Sequence, residues 1–265
     1  MDSLQDIKQI IGEAKNICVI PSENNEPESL TATLALFYTL KELNKNVNLI
    51  IEEFPEKFNF LIPSLDFISQ PKNFVISIPR KVADVSQVYY EKNEDNLKIH
   101  LTIDRGNIKK DNISFYFSDT KPDLTITLGI KDFQSQLLNK LDSFGFILDS
   151  PILNIDTSAP LSASNQGNKK FGQINIIKNC SLSEIILDII KSIGENLINK
   201  NTANCILTGL TIYYENFQNP KTTPEVFELC AFLMKKGANR EEIIENLYQT
   251  KTQDMNFSEK EIVNK

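Results

Sequence analysis

Apolar residues along this chain fall into two rhythms, and the switches between them divide the sequence. Residues 4–14 predict a short helix leading into Ile17-Cys-Val-Ile20, an unbroken apolar run bounded by the polar loop 21–27. Such a run, stopped by turn-forming residues, is the pattern of a buried strand. Residues 28–43 place Leu30, Leu34, Leu36, Phe37, Leu40 and Leu43 around much of a helix, which suits an element packed on a sheet. Asn44-Lys-Asn then hands over to a second strand at 47–51. Strand, helix and strand make a βαβ unit with parallel strands, whose ligand crevice lies at the strands' C-terminal ends. Ser22, Glu26 and Glu28 fall there.

From 73 to 118 the period changes to two: Phe74, Ile76 and Ile78, then Leu97, Ile99, Leu101 and Ile103, then Ile113, Phe115 and Phe117. Alternation of this kind predicts half-buried antiparallel strands. With turn-rich joints at 93–96 and 106–111, the segment reads as a β meander inserted into the α/β domain. His100 lies opposite the apolar face of its strand, between Lys98 and Thr102, and is expected in solvent.

The α/β rhythm resumes with a strand at 123–128 and a helix at 133–144 carrying Leu137, Leu138 and Leu141. A strand at 152–155 follows, then the polar loop 157–170 and a short strand at 172–177. Ser181-Leu-Ser-Glu184 is a capping box opening an Ile-rich helix. Residues 203–213 read as largely helical. Thr223-Pro224 caps the next helix, with Phe227, Cys230, Ala231 and Met234 expected inward and Gly237 as its stop. Asn239-Arg-Glu-Glu242 is a second capping box, its helix ending near Thr250, and 251–265 is a polar tail. The expected architecture is an α/β, parallel-sheet domain over 1–265 with helices on both faces and the antiparallel insertion at 73–118.

Composition narrows the function classes. At 265 residues and 41% hydrophobic content the chain buries a large core. A net charge of -7 argues against duplex nucleic acid as a partner, so any nucleic-acid ligand is expected to be small. Cys18, Cys180, Cys205 and Cys230 are widely spaced in apolar surroundings and read as reduced, buried thiols. The N-terminus lacks the basic start and apolar core of a signal peptide, and no segment is apolar for long enough to span a membrane. A cytoplasmic protein with no membrane partner is expected. One histidine in the whole chain leaves no histidine-based nucleophile relay.

Four segments carry a resemblance: 22–36, an acidic loop entering a helix; Asn154-Ile-Asp156; Phe171-Gly-Gln-Ile-Asn175; and Leu207-Thr-Gly209 through Phe217 to Lys236-Gly-Ala238. In their order they resemble the N-terminal domain of the Asp-His-His (DHH) phosphoesterases, near the oligoribonuclease and 3'-phosphoadenosine 5'-phosphate phosphatase branch. The resemblance implies two divalent metals, usually manganese, clamping a phosphate between carboxylates and imidazoles. In this chain the first-loop ligands fall on Ser22, Glu26 and Glu28, and the second-strand Asp falls on Gly129. The two histidines after Asp156 are Thr157 and Ser158. The fourth-loop Asp is replaced by Tyr213, Tyr214 and Glu215. Hydroxyls do not replace imidazoles as manganese ligands at comparable affinity. The family's glycine-rich second domain is expected to be missing as well.

Each surviving residue has a second reading. Glu26 and Glu28 are either metal ligands or carboxylates favoured by a helix N-terminus. Asp156 either holds metal or closes a turn. Tyr213 and Tyr214 either pack or stack bases, and Glu215 is a candidate displaced ligand. The leading expectation is a pseudoenzyme, a degenerate phosphoesterase kept as a nucleotide- or phosphate-binding or protein-interaction module, with no cofactor. The alternative is an active phosphoesterase acting with manganese on short oligonucleotides or nucleoside phosphates. A structural subunit whose inserted strands pair through an exposed edge strand, either with a second copy as a homodimer or with another partner, is a third expectation.

Overall fold

A computed structural model describes residues 4–22, 26–51, 54–62, 72–93, 95–119, 122–130, 136, 150–157 and 170–248, with backbone alone at 72–75 and 115–119. The chain divides into two compact units, a body of Met1–Ser69 with Lys121–Lys265 and an insert of Gln70–Thr120.

The body is built on five parallel strands: β1 (Asn16–Pro21), β2 (Asn46–Leu49), β7 (Leu124–Leu128), β8 (Ile152–Thr157) and β9 (Ile174–Lys178). Their spatial order is β2-β1-β7-β8-β9, and every pairing is parallel. The order reverses between β1 and β7, which makes their C-terminal ends the switch point where open α/β sheets bind ligands. Asp123 fixes the start of this junction by accepting hydrogen bonds from the N–H groups of Lys15 (2.7 Å) and Asn16 (3.1 Å).

The described helices are α1 (Leu4–Glu13), α2 (Pro27–Glu42), α3 (Leu182–Ile193), α4 (Lys200–Tyr213), α5 (Pro224–Lys235) and α6 (Arg240–Tyr248). Helix α2 packs on β1, β2 and β7 and is covered in turn by α3 and α4. Burial on both sides explains why it has no polar face. The hydroxyls of Thr31 and Thr39 turn inward to the carbonyls of Glu28 and Ala35 (both 2.9 Å). Pro27 opens α2, and Asn44 (φ 56°) follows its end in the left-handed region, reversing the chain into β2. The predicted capping box opens α3, with Ser181 and Glu184 each accepting the other's backbone N–H. Among the described residues no helix is long and apolar enough to cross a membrane.

The two sheet faces differ. Ile17, Val19, Ile126 and Leu153 join the helices in one large core, whereas Cys18, Ile20, Ile130 and Ile152 form a smaller cluster on the other side. The helix expected at 133–144 falls outside the described residues, apart from helical Gln136. The polar tail at 251–265 and the end of α6 near Thr250 also fall outside them. Helix α5 corrects the expected face by one residue. Val226, Cys230 and Leu233 are buried, while Phe227, Ala231 and Met234 are exposed. Both sets satisfy a helical period, and packing selects the one containing Leu233. Thr223 makes no side-chain cap to the backbone, but Gly237 (φ 101°) ends the turn after α5 as expected. Cys18, Cys205 and Cys230 are buried, and Cys180 is half-buried.

The insert is antiparallel, as its alternation predicted, but its pairing is nested rather than sequential. Strand β3 (Lys72–Ser77) pairs with β6 (Ser114–Asp119), and β4 (Ala83–Lys92) pairs with β5 (Leu97–Gly106) as a separate hairpin. A meander would pair each strand with the next. The unforeseen strand is β4, whose polar Ser86 and Gln87 interrupt the apolar alternation beside a register shift. The Asn93 side chain accepts N–H bonds from Asp95 and Asn96 and forms the predicted turn. His100 is half-buried rather than free in solvent, stacked on Tyr89 at 4.6 Å with the rings parallel.

Candidate functional site

The candidate crevice is the one the switch point implies, where the C-terminal ends of β1, β7 and β8 meet the N-termini of α2 and α3. Ser29, in the first turn of α2, ties two strand ends together. Its hydroxyl donates to the Leu128 carbonyl (2.9 Å) and accepts from the Ser22 N–H (3.0 Å). The Ser22 hydroxyl in turn donates to Glu26 (3.2 Å). Gly129 follows β7 at φ 68°, and a side chain there would come within 3.2 Å of Leu182 and 3.7 Å of Ser22 and Ser29. Its N–H is bound by the Ile155 carbonyl (2.9 Å).

Glu28 does something its sequence position did not reveal. Its carboxylate accepts the Leu182 N–H at 2.5 Å and is also bonded by the Ser183 N–H, so it caps α3 from another part of the chain. These N–H groups are among those a helix leaves unpaired at its start. Burial is the largest influence on this carboxyl and pushes its pKa up to about 7, with the charges of Glu26 and Glu184 adding to the rise and the two N–H bonds opposing it.

A second cluster adjoins it. The Tyr214 hydroxyl, buried at the end of α4, donates to Glu184 (2.9 Å), and Tyr213 meets Tyr214 edge-on at 4.9 Å. Burial raises the pKa of Tyr213, with the charges of Glu28 and Glu184 contributing further. The tyrosines therefore pack beside the α3 N-terminus. Glu215 is exposed in a left-handed turn (φ 51°) and accepts from Asn219 (3.3 Å).

Asp156 stands in β8 with its Oδ1 accepting the Thr157 N–H at 2.7 Å. The motif residues beside it form a network across the sheet. Thr127 donates to Asn154 (3.1 Å), Asn154 to Asn175 (3.3 Å), and Asn175 to the Gly172 carbonyl (2.6 Å). Gly172 is required because a Cβ there would lie 2.7 Å from the Ile152 carbonyl oxygen. Thus Asn154-Ile-Asp156 and Phe171-Gly-Gln-Ile-Asn175, separate in sequence, meet as one hydrogen-bonded piece. Gly209 has a similar role, since a Cβ would lie 2.0 Å from the Ser183 hydroxyl oxygen and 2.7 Å from that of Thr31. It lets α4 approach α2 and α3.

Among the described residues no group of three or more His, Cys, Asp or Glu side chains gathers to hold a metal ion. The structure puts Ser22, Glu26 and Glu28 at one crevice but brings Glu26, Glu28 and Asp156 into no such group. Ser158 lies outside the described residues. Among the described residues, a donor set without imidazole, with Gly129 after β7 and Glu28 bonded to backbone, does not fit a two-manganese centre. Sequence reasoning missed Ser29 and the N–H pair of Leu182 and Ser183. The capping box signalled the start of α3, but nothing local signalled a partner 154 residues away.

No protein-family model matches the chain, and no curated protein matches its sequence. Among solved structures, an exopolyphosphatase-related protein from Bacteroides fragilis matches with a TM-score of 0.64 at 15% identity, over 94% of this chain and 61% of that one. The chain thus spans less than two thirds of the length of the structure it matches, and what the two share is the fold.

Proposed function

We propose that this chain is a DHH-type phosphoesterase-fold protein that has lost hydrolysis and binds a nucleotide or related phosphate in the crevice between β1 and β7. The observation that carries the proposal is Glu28. Its carboxylate stands where the resemblance would put a metal ligand, and it is held by the N–H groups of Leu182 and Ser183. A carboxylate held by two backbone N–H groups is oriented toward the helix it caps and has fewer lone pairs left for a metal. The fold shared with an exopolyphosphatase-related protein supports phosphoesterase ancestry.

Calorimetric titration with manganese, alongside hydrolysis of a 5'-labelled dinucleotide, tests this. The expected result is no manganese uptake and no turnover by the native chain or by Glu28→Gln, with a nucleoside monophosphate bound in the absence of metal. Manganese uptake with turnover lost in Glu28→Gln overturns it. One observation favours a second reading, an active hydrolase with a rebuilt site. A carboxyl with a pKa of about 7 is tuned for general acid–base catalysis near neutrality. In that case turnover follows the ionisation of Glu28.

A further inference from the structure

The β4–β5 hairpin has two unlike faces. From Gln87 onward the register is regular, placing Val88 opposite Leu101, Tyr90 opposite Ile99 and Lys92 opposite Leu97 on one side. The alternate positions, Tyr89 with His100 and Glu91 with Lys98, form the other. On that second face the rings of Tyr89 and His100 stack, and Glu91 pairs with Lys98 at 3.9 Å. Apart from Lys92 at its end, the first face is apolar and open. Val88 is 66% exposed, Tyr90 74%, Leu97 63%, Ile99 48% and Ile103 39%.

A two-stranded ribbon is at best marginally stable in water unless its apolar face is covered. Open apolar patches of several hundred Å² on a folded chain mark interaction sites. We propose that the face of Val88, Tyr90, Leu97 and Ile99 packs against the same face of a second copy of this chain, sheet on sheet about a two-fold axis.

Two observations select a second copy over a charged partner. The first is charge. The insert carries eight Lys and Arg against seven Asp and Glu, so it is nearly neutral at +1, while the remaining residues hold -8 of the total of -7. Two copies meeting through the insert bring little like charge together. Two copies meeting through the body would place strongly negative surfaces in contact. The second is area. With about 150–250 Å² for a large side chain, the exposures above leave roughly 500 Å² of apolar face per copy. Facing copies remove roughly 1,000 Å² from water, which reaches the lower bound for a specific interface. Because each copy presents the same ladder, Tyr90 of one hairpin can lie over the Val88–Leu101 pair of the other, and the arrangement closes at two.

Sedimentation of the full chain between ~1 and ~100 µM, a range spanning weak to moderate self-association, is the test. The expected species at the upper end has twice the 30.1 kDa chain mass. A Val88→Lys/Tyr90→Lys double variant raises the dissociation constant by at least ~30-fold, as loss of central apolar anchors does. The opposite-face pair Gln87→Lys/Thr102→Lys leaves it unchanged. If circular dichroism shows the double variant unfolded, Leu97→Ala decides, with an expected rise of about 5-fold. A chain that stays monomeric throughout, including one whose apolar face is covered by its own body or by a different protein, overturns the proposal. So does a dimer that neither Val88→Lys/Tyr90→Lys nor Leu97→Ala weakens.

Discussion

The body and the insert treat their apolar residues in opposite ways. In the body, Leu30, Leu124 and Ile206 are fully buried, whereas in the insert Tyr90 and Val88 are mostly exposed. The chemistry of the side chains is alike; the number of layers differs. A strand such as β1 has neighbours on both edges and α2 on one face, so a continuous apolar run is buried. The β4–β5 hairpin has a single ladder, so alternation there sorts residues onto two faces without covering either. Period alone therefore predicts which residues share a face, and the presence of another layer decides whether that face is dry.

Substitutions ordered by expected size sharpen this contrast. Leu207→Ala, in the fully buried centre of α4, should lower stability by about 2–5 kcal/mol, read from urea unfolding. Glu28→Gln should act in the other direction. The native carboxyl has its folded pKa raised from 4.5 to about 7, so the folded state binds more protons than the unfolded chain between those values, and stability falls as pH rises through that window. Gln accepts the Leu182 N–H without charge, so the variant should be more stable at pH ~8 by roughly 2–3 kcal/mol and lose most of this difference near pH ~4. Thermal melts across that range measure it, and a flat native profile would contradict the buried cap. Gly209→Ala should cost about 1–3 kcal/mol by forcing α4 away from Ser183 and Thr31. Ser181→Ala, removing half of the capping box, should cost about 1 kcal/mol. At the small end, Leu97→Ala in the dilute monomer should change stability by less than ~0.5 kcal/mol. A cost near that of Leu207→Ala would place the hairpin face among the buried layers and erase the contrast.

The parallel strands, the α2 and α3 boundaries and the capping box were legible because each is set by signals within a few residues: Pro27, Asn44, Ser181 and Glu184. The α5 face was not, because Phe227 and Val226 fit a helical period equally well and only packing separates them. Strand β4 escaped because a register shift near Ser86 broke its alternation. The βαβ pattern put Ser22, Glu26 and Glu28 between the end of β1 and the start of α2, where Ser22 bonds Glu26. What Glu28 bonds to was not legible, since Leu182 lies 154 residues further along and meets it only in the tertiary fold. The same holds for the marker motifs. Asn154 and Asn175 stand in segments that carry the resemblance, and their hydrogen bonds give them a structural use.

The placement of β7 beside β1 also sets a timetable for synthesis. Strands β1 and β2 are complete at Leu49, but the strand that must cover the other edge of β1 begins only at Leu124, with the whole insert in between. At about 5–20 residues per second, a ribosome takes roughly 4–15 s to deliver it. For that interval Ile17 and Val19 wait with an open edge while the hairpin between them and their partner has time to close in microseconds. The nascent chain therefore exposes two sticky surfaces at once, the edge of β1 and the apolar face of β4 and β5, and the first is closed when β7 emerges.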